Sequence, residues 1–291
     1  MTVLVDTRLG SSAWAAELRA ALPDTEIATA DDGVDPAAVE YLVVWHPPQD
    51  FTPYTRLRAI LLIGAGFDHL DLDALPDVPV VRLVDPAMAA DIALYVLSWV
   101  VHFQRDFDRF AAARHTATWD SDLPARFPRD HVVGVLGAGA IGQVVLDTCA
   151  AHGFVTLGWS RSSHDRPLHQ FLRDVDVVVD LVPLSPNTVG LLGADEFAAL
   201  GDGVVINVGR GPTVDTAALL DALDGELRAA VLDVFEVEPL PADSPLWSRP
   251  DVIVTPHIAG RSDPVTGAPI IATQIEELRA GGMPADVIRR R

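Results

Sequence analysis

The chain has 291 residues, of which 49% are apolar and 21% charged, the balance of a globular protein long enough for two domains. Its formal net charge of −20 sets up a field that repels nucleic acid and anionic membrane surfaces, so neither is expected as a partner. It has no lysine, which excludes Schiff-base chemistry and a phosphate-loop lysine, and a single cysteine, Cys149, which excludes an internal disulfide and suits a reducing cytoplasm.

The opening MTVLVDTRLG has no basic segment followed by an apolar core, so it reads as a strand at 3–5 and not as a secretory signal. Further β-branched runs predict strands at 41–45, 59–63 and 80–84. A long helix over 91–114 follows, with Ile92, Tyr95, Val96, Trp99, Phe103, Phe107 and Phe110 at helical spacing. Its aromatic load suits burial between lobes or between subunits, and a homodimer is expected. The longest apolar stretch, 92–101, is about half of what a membrane span needs.

A second set of strands is predicted at 132–136, 155–159, 175–181, 204–207, 229–234 and 252–255. Cys149 falls on the apolar side of a helix within this set and reads as a packing residue. After a Pro/Gly-rich stretch, a final helix is expected near 270–280, in a tail able to return to the first lobe. Apolar strands separated by helices predict parallel sheets covered on both faces. The fold class is therefore α/β, with two flavodoxin- or Rossmann-like lobes and an active site in the cleft between them. Residues 1–90 plus 263–291 are assigned to substrate binding, and 91–262 to dinucleotide binding.

The strongest local motif is G-x-G-x-x-G at Gly137, Gly139 and Gly142, placed after a strand and opening an amphipathic helix. Gly137 permits the tight turn, Gly139 the approach of a pyrophosphate, and Gly142 the packing of helix on strand. With Ala138, Ala140 and Ile141 these residues form the expected phosphate cradle at a helix N-terminus. The next strand ends in TLGWSRSS, without the acid that binds the ribose hydroxyls of NAD. Ser160, Arg161, Ser162 and Ser163 stand there, and a guanidinium with hydroxyls can hold a 2′-phosphate. NADPH is therefore the expected cofactor, with NADH less favoured.

Three segments lie at predicted strand ends, where open α/β sheets bind ligands: NVGRG at 207–211, LDVFEVEP at 232–239 and TPHIAG at 255–260. In that order after the glycine motif, and with LVPLSPNTVGLL at 181–192 and LLIGAGFDHL at 61–70, they resemble the D-2-hydroxyacid dehydrogenase family. VVWHPP at 43–48, VDPAMAADIALYVL and SPLW at 244–247 narrow the resemblance to its bacterial glyoxylate/hydroxypyruvate reductase subgroup. The stretch RSDPVTGAPI departs from that subgroup's pattern.

The resemblance implies reduction of a small 2-oxo acid by hydride transfer from NADPH. It implies His257 as proton donor, Glu238 as its partner, with Glu236 the competing acid, and Arg210 as substrate anchor. It adds Val182, Pro183, Val208, Gly209 and Asp233 to the cofactor site. Ala65 and Gly66 would offer backbone N–H groups to the substrate carboxylate, Trp45 would wall the pocket, and His46 would line it. Reduction builds negative charge on the keto oxygen, which an imidazolium can protonate and an arginine can polarise. No residue set is read as a metal site. A dehydrogenase for a larger 2-hydroxy acid and a non-catalytic cofactor-sensing regulator remain alternatives, the latter opposed by the joint presence of Arg210, Glu238 and His257.

Overall fold

The computed structural model describes residues 1–7, 10–124, 126–160 and 166–288. The chain forms two compact units, Met1–Met88 with Ser262–Arg291, and Ala89–Arg261. In the first, strands β1 (Thr2–Asp6), β2 (Glu26–Thr29), β3 (Val39–Val44), β4 (Ala59–Leu62) and β5 (Val80–Val81) run parallel. Successive side chains of a strand point to opposite faces, and here both faces are apolar. Val3, Val5, Val43 and Leu61 enter one core with Trp14, Ala15 and Leu18 of helix α1 (Ser11–Ala21). Leu4, Leu42, Val44, Ile60 and Leu62 enter the other.

The single helix expected over 91–114 is instead two, α2 (Pro86–Gln104) and α3 (Phe107–His115). Asp85 starts α2, its carboxylate accepting from the Ala87 N–H at 2.8 Å, with Pro86 in the first helical position. The break falls at Asp106, which adopts the left-handed conformation at φ 53°. Asp106 and Asp108 both bind the Arg228 guanidinium at 2.7 Å. That ion pair, with Asp106 buried and Arg228 largely so, takes precedence over the helical periodicity of the segment. By length and composition α2 could cross a membrane; Ile92, Ala93, Val96, Leu97, Val100 and Phe103 are buried in the fold.

The second unit is built on β6 (Val132–Leu136), α4 (Ala140–Ala151), β7 (Val155–Trp159), α5 (Leu168–Leu172) and β8 (Val177–Asp180). It continues through α6 (Ala194–Leu200), β9 (Val204–Asn207), α7 (Thr216–Leu223), β10 (Ala229–Leu232) and β11 (Val252–Val254). The sheet order is β11-β10-β9-β8-β6-β7, all parallel. The chain steps from β6 outward to β7 and then back across to β8. The order therefore reverses beside β6, which makes the end of that strand a topological switch point, the place where such sheets bind ligands. Cys149 is fully buried in α4, and burial pushes its thiol up to about 11, so it packs and does not react.

The chain then returns to the first unit. Helix α8 (Pro264–Arg279) starts before the expected 270, because Asp263 caps it by accepting from the Val265 N–H at 3.0 Å. Ala268, Ile271, Ala272 and Ile275 bury against the core that holds Trp14. A Cβ at Gly267 would lie 2.6 Å from the Trp14 ring, so the glycine permits this approach. Strand β12 (Val287–Ile288) closes that sheet antiparallel to β5, giving the order β12-β5-β4-β3-β1-β2.

Candidate active site

The glycine motif lies at the switch point. Gly137 takes φ 86°, and a Cβ there would lie 2.7 Å from the Leu181 carbonyl. A Cβ at Gly142 would lie 2.3 Å from the Gly137 carbonyl, so this glycine lets α4 pack on the turn. Gly139 opens onto free space, with nothing within 4 Å of where its Cβ would be. Ala140 and Ile141 form the first turn of α4, whose N–H groups have no intrahelical acceptor. A tight turn, an open glycine and a free helix N-terminus fit a dinucleotide pyrophosphate. Ala138 packs on Gly158 of β7, and Ser160 directly follows that strand. Arg161, Ser162 and Ser163 lie outside the described residues.

The three loops with candidate chemistry leave the C-terminal ends of neighbouring strands β9, β10 and β11. His257 Nδ1 lies 2.8 Å from Glu238 Oε2, and Glu238 Oε1 accepts the Phe235 N–H at 3.0 Å. The carboxylate on the imidazole is thus that of Glu238, not Glu236. It occupies Nδ1 and leaves Nε2 as the ring nitrogen turned to other partners. The His257 side chain is 47% exposed.

His257 sits at φ 53°, a strained region for a side chain with a Cβ, and the surroundings hold it there. Its N–H donates to the Asp233 carbonyl at 2.9 Å. The Asp233 carboxylate, 1% exposed, accepts from the N–H groups of Ile258 and Ala259, both at 2.8 Å, and from the Thr255 hydroxyl at 2.5 Å. Tyr95 of α2 meets the same Thr255 hydroxyl at 2.6 Å. Asp233, expected at the cofactor site, therefore fastens the histidine loop.

Arg210 is partly buried between two glycines, with its Nη1 donating to the Gly209 carbonyl at 2.8 Å. A Cβ at Gly211 would lie 1.9 Å from the Phe235 backbone, so only glycine lets the arginine turn touch the loop that leads to Glu238. Beneath the turn lies Asp180, fully buried at the end of β8. Its carboxyl meets the Val182 N–H at 3.0 Å and the Thr213 hydroxyl at 2.5 Å, and Thr213 also meets the Arg210 carbonyl at 2.5 Å. Asn207 donates to the same carbonyl at 3.0 Å and accepts the Gly209 N–H at 3.0 Å. Burial pushes Asp180 up to about 6, against the opposing pull of the Thr213 and Val182 hydrogen bonds. Val182 and Val208 are buried beside it, with the Val208 N–H on the Asp180 carbonyl, and Pro183 offers its carbonyl to Thr188. Asp180, Thr213, Tyr95 and Thr255 were not among the residues expected from sequence.

In the first unit the GAGFD turn follows β4, with Ala65 and Gly66 partly buried. A Cβ at the preceding Gly64 would lie 2.6 Å from the Trp45 ring, so the indole lies directly on this turn. His69 stacks on Trp45 with centroids 4.2 Å apart, and its Nε2 meets the Trp45 carbonyl at 2.9 Å. His46 packs edge-on against His69 at 4.8 Å.

A glycine-turn nucleotide fold that gathers a histidine–carboxylate pair and an arginine at one sheet edge defines a nicotinamide-dependent dehydrogenase. The chain belongs to the D-isomer specific 2-hydroxyacid dehydrogenase family, whose NAD binding domain matches residues 97–259. It is 37% identical to a glyoxylate/hydroxypyruvate reductase A of Salmonella paratyphi B, over 92% of this chain and 91% of that one. Among solved structures, it matches a D-isomer specific 2-hydroxyacid dehydrogenase of Xanthobacter autotrophicus Py2 in complex with NADPH and MES. The TM-score is 0.91, with 39% identity over 99% of both chains. It also matches an NADPH-dependent glyoxylate/hydroxypyruvate reductase of Sinorhizobium meliloti in complex with NADP and sulfate, at TM-score 0.89, 34% identity and coverage of 99% and 98%.

Proposed function

We propose that this protein reduces a small 2-oxo acid of the glyoxylate or hydroxypyruvate type to the 2-hydroxy acid, using NADPH. The observation that carries the reading is the His257–Glu238 pair at 2.8 Å, held at the sheet edge that also presents Arg210. The names of the relatives supply the substrate class, and the NADPH and NADP in the neighbouring structures supply the cofactor. Arg161, with serines in place of the ribose-binding acid, supports the same choice.

Gly137 to Gly142 would hold the pyrophosphate, and Ser160, Arg161 and Ser162 the 2′-phosphate. Val182, Pro183, Val208, Gly209 and Asp233 line the rest of the cofactor site. When bound, the nicotinamide supplies the hydride. Arg210 grips the substrate carboxylate and polarises the keto oxygen, and the N–H groups of Ala65 and Gly66 take part in carboxylate binding. His257 delivers a proton from Nε2 to the developing alkoxide, while Glu238 orients the ring from Nδ1 and stabilises the imidazolium. Trp45, seated on the GAGFD turn, limits the size of the substrate side chain.

The roles expected for 1–90 with 263–291 and for 91–262 are assigned to the two units, substrate binding to Met1–Met88 with Ser262–Arg291 and dinucleotide binding to Ala89–Arg261. The protein is read as cytoplasmic and as a homodimer joined through the dinucleotide unit. Exposed Leu94, Phe107, Phe110, Trp119 and Phe127, on and after α2 and α3, support that interface. Light scattering on the purified chain is expected to give twice the monomer mass, and a monomer at micromolar concentration contradicts the dimer. The function is tested with His257→Ala. This variant is expected to lose on the order of 10²–10⁴-fold in kcat, the usual contribution of a positioned general acid, and to bind NADPH as the wild type does. A variant with wild-type kcat removes the proposed mechanism.

A further inference from the structure

The polar atoms under the Arg210 turn fix where one proton must lie. Thr213 Oγ1 sits 2.5 Å from Asp180 Oδ2 and 2.5 Å from the Arg210 carbonyl oxygen. Both separations are at the short end for O–H···O hydrogen bonds. A hydroxyl carries one hydrogen. If Asp180 were a carboxylate, Thr213 could donate only to it or to the carbonyl, and the other contact would press two oxygens together with no hydrogen between them. Asn207 cannot fill the gap. Its Nδ2 lies 3.5 Å from Thr213 Oγ1 and 3.0 Å from the Arg210 carbonyl, and its Oδ1 is committed to the Gly209 N–H.

We propose that Asp180 is a positioning residue that works as a neutral acid, donating its proton to Thr213 so that Thr213 donates its own to the Arg210 carbonyl. The two carboxyl oxygens already divide in this way. Oδ1 accepts the Val182 N–H at 3.0 Å, as a carbonyl oxygen does, and Oδ2 faces the hydroxyl. Among the described residues, the groups that meet the Asp180 carboxyl carry no charge. β6 places Leu136 at its level and β9 places Asn207, while the neighbouring loops contribute Thr213 and the Val182 N–H. Burial raises the carboxyl in the direction the geometry requires. As Asp180 ionises, it captures the Thr213 hydrogen, the Arg210 carbonyl keeps the Asn207 amide and the Thr213 N–H but loses the hydroxyl, its shortest donor, and the arginine turn loosens. The arginine's grip on a substrate therefore weakens as pH rises through the titration of Asp180. This consequence rests on the proposed role of Arg210, whereas the location of the proton does not.

Infrared difference spectra of the wild type against Asp180→Asn test the proton directly. A protonated-carboxyl carbonyl band is expected in the wild type, fading with a midpoint near about 6. Its absence at every pH where the protein is folded overturns the proposal. Steady-state kinetics with glyoxylate and NADPH test the consequence. Thr213→Val and Asp180→Leu are expected to raise KM for glyoxylate about tenfold, the effect of one lost hydrogen bond, with NADPH affinity retained. Asp180→Asn, whose amide can donate permanently to Thr213, is expected to restore KM and to make it insensitive to pH across the same range. An Asp180→Asn enzyme as impaired as Thr213→Val contradicts the donor role. Where no variant, nor the wild type, turns over any 2-oxo acid, the functional reading fails, and the infrared band alone decides the placement of the proton.

Discussion

The loop that carries His257 and the turn that carries Arg210 leave the same edge of one sheet, and each is fastened by a buried aspartate. Asp233 draws three donors, the N–H groups of Ile258 and Ala259 and the Thr255 hydroxyl. Asp180 has one N–H, from Val182, and a hydroxyl that it shares with the Arg210 carbonyl. Burial of a carboxyl is costly unless hydrogen bonds compensate, so the number of donors separates the two sites. The donor-rich site can hold His257 in a strained left-handed conformation. The donor-poor site, in the proposed arrangement, adds the Thr213 hydroxyl to the Asn207 contacts on its turn only with a proton in place. In the proposed mechanism His257 transfers a proton and needs fixed geometry, whereas Arg210 grips a carboxylate and tolerates a tunable mount.

The comparison can be broken most readily at Asp233. Asp233→Ala takes the acceptor from one buried donor, the Ala259 N–H, and two part-buried ones, each costing up to about 1–3 kcal/mol, and is expected to lose on the order of 3 kcal/mol of stability in urea unfolding. A loss below about 1 kcal/mol would mean that the histidine loop is held by something else.

A second effect is a pH dependence of stability at Asp180. The carboxyl rises from 3.8 to about 6 on folding, so between those values the folded protein keeps a proton that the unfolded chain has released. The stabilising contribution is full below 3.8 and is lost as pH rises through about 6, amounting to about 3 kcal/mol. The difference in unfolding free energy between wild type and Asp180→Asn should therefore fall with pH across this window and level off above it. A flat difference contradicts the shift. The smallest effect is expected at Tyr95, which reaches Asp233 only through Thr255. Tyr95→Phe is expected to cost about 1 kcal/mol in thermal unfolding, and a cost above about 3 kcal/mol would make Tyr95 a principal support of the loop.

The parts of this arrangement that are local in sequence can be read from it. The β-branched runs mark most strands, and the glycine spacing with its flanking strand and helix marks the nucleotide turn. The loops of Arg210, Glu238 and His257 stand out because each lies at a strand end. The parts set by distant partners do not show. Helical spacing runs unbroken through Phe103, Phe107 and Phe110, and the elbow at Asp106 depends on Arg228, 122 positions away. Asp180 sits inside an apolar strand with no local mark of its role, and its partner Thr213 is 33 positions away. Strands β2 and β12 are absent from the expected set. Glu236 and Glu238 are equally acidic in sequence, and only the fold brings one of them to His257.

Reduction of a small 2-oxo acid with NADPH is checked by initial rates of the purified protein with glyoxylate, hydroxypyruvate, pyruvate and phenylpyruvate, each with NADPH and with NADH. The highest kcat/KM is expected for glyoxylate or hydroxypyruvate with NADPH, with a weaker reaction with NADH and little turnover of phenylpyruvate if Trp45 walls the pocket as proposed. Preference for phenylpyruvate or for NADH, or no turnover with any pair, would contradict that reading.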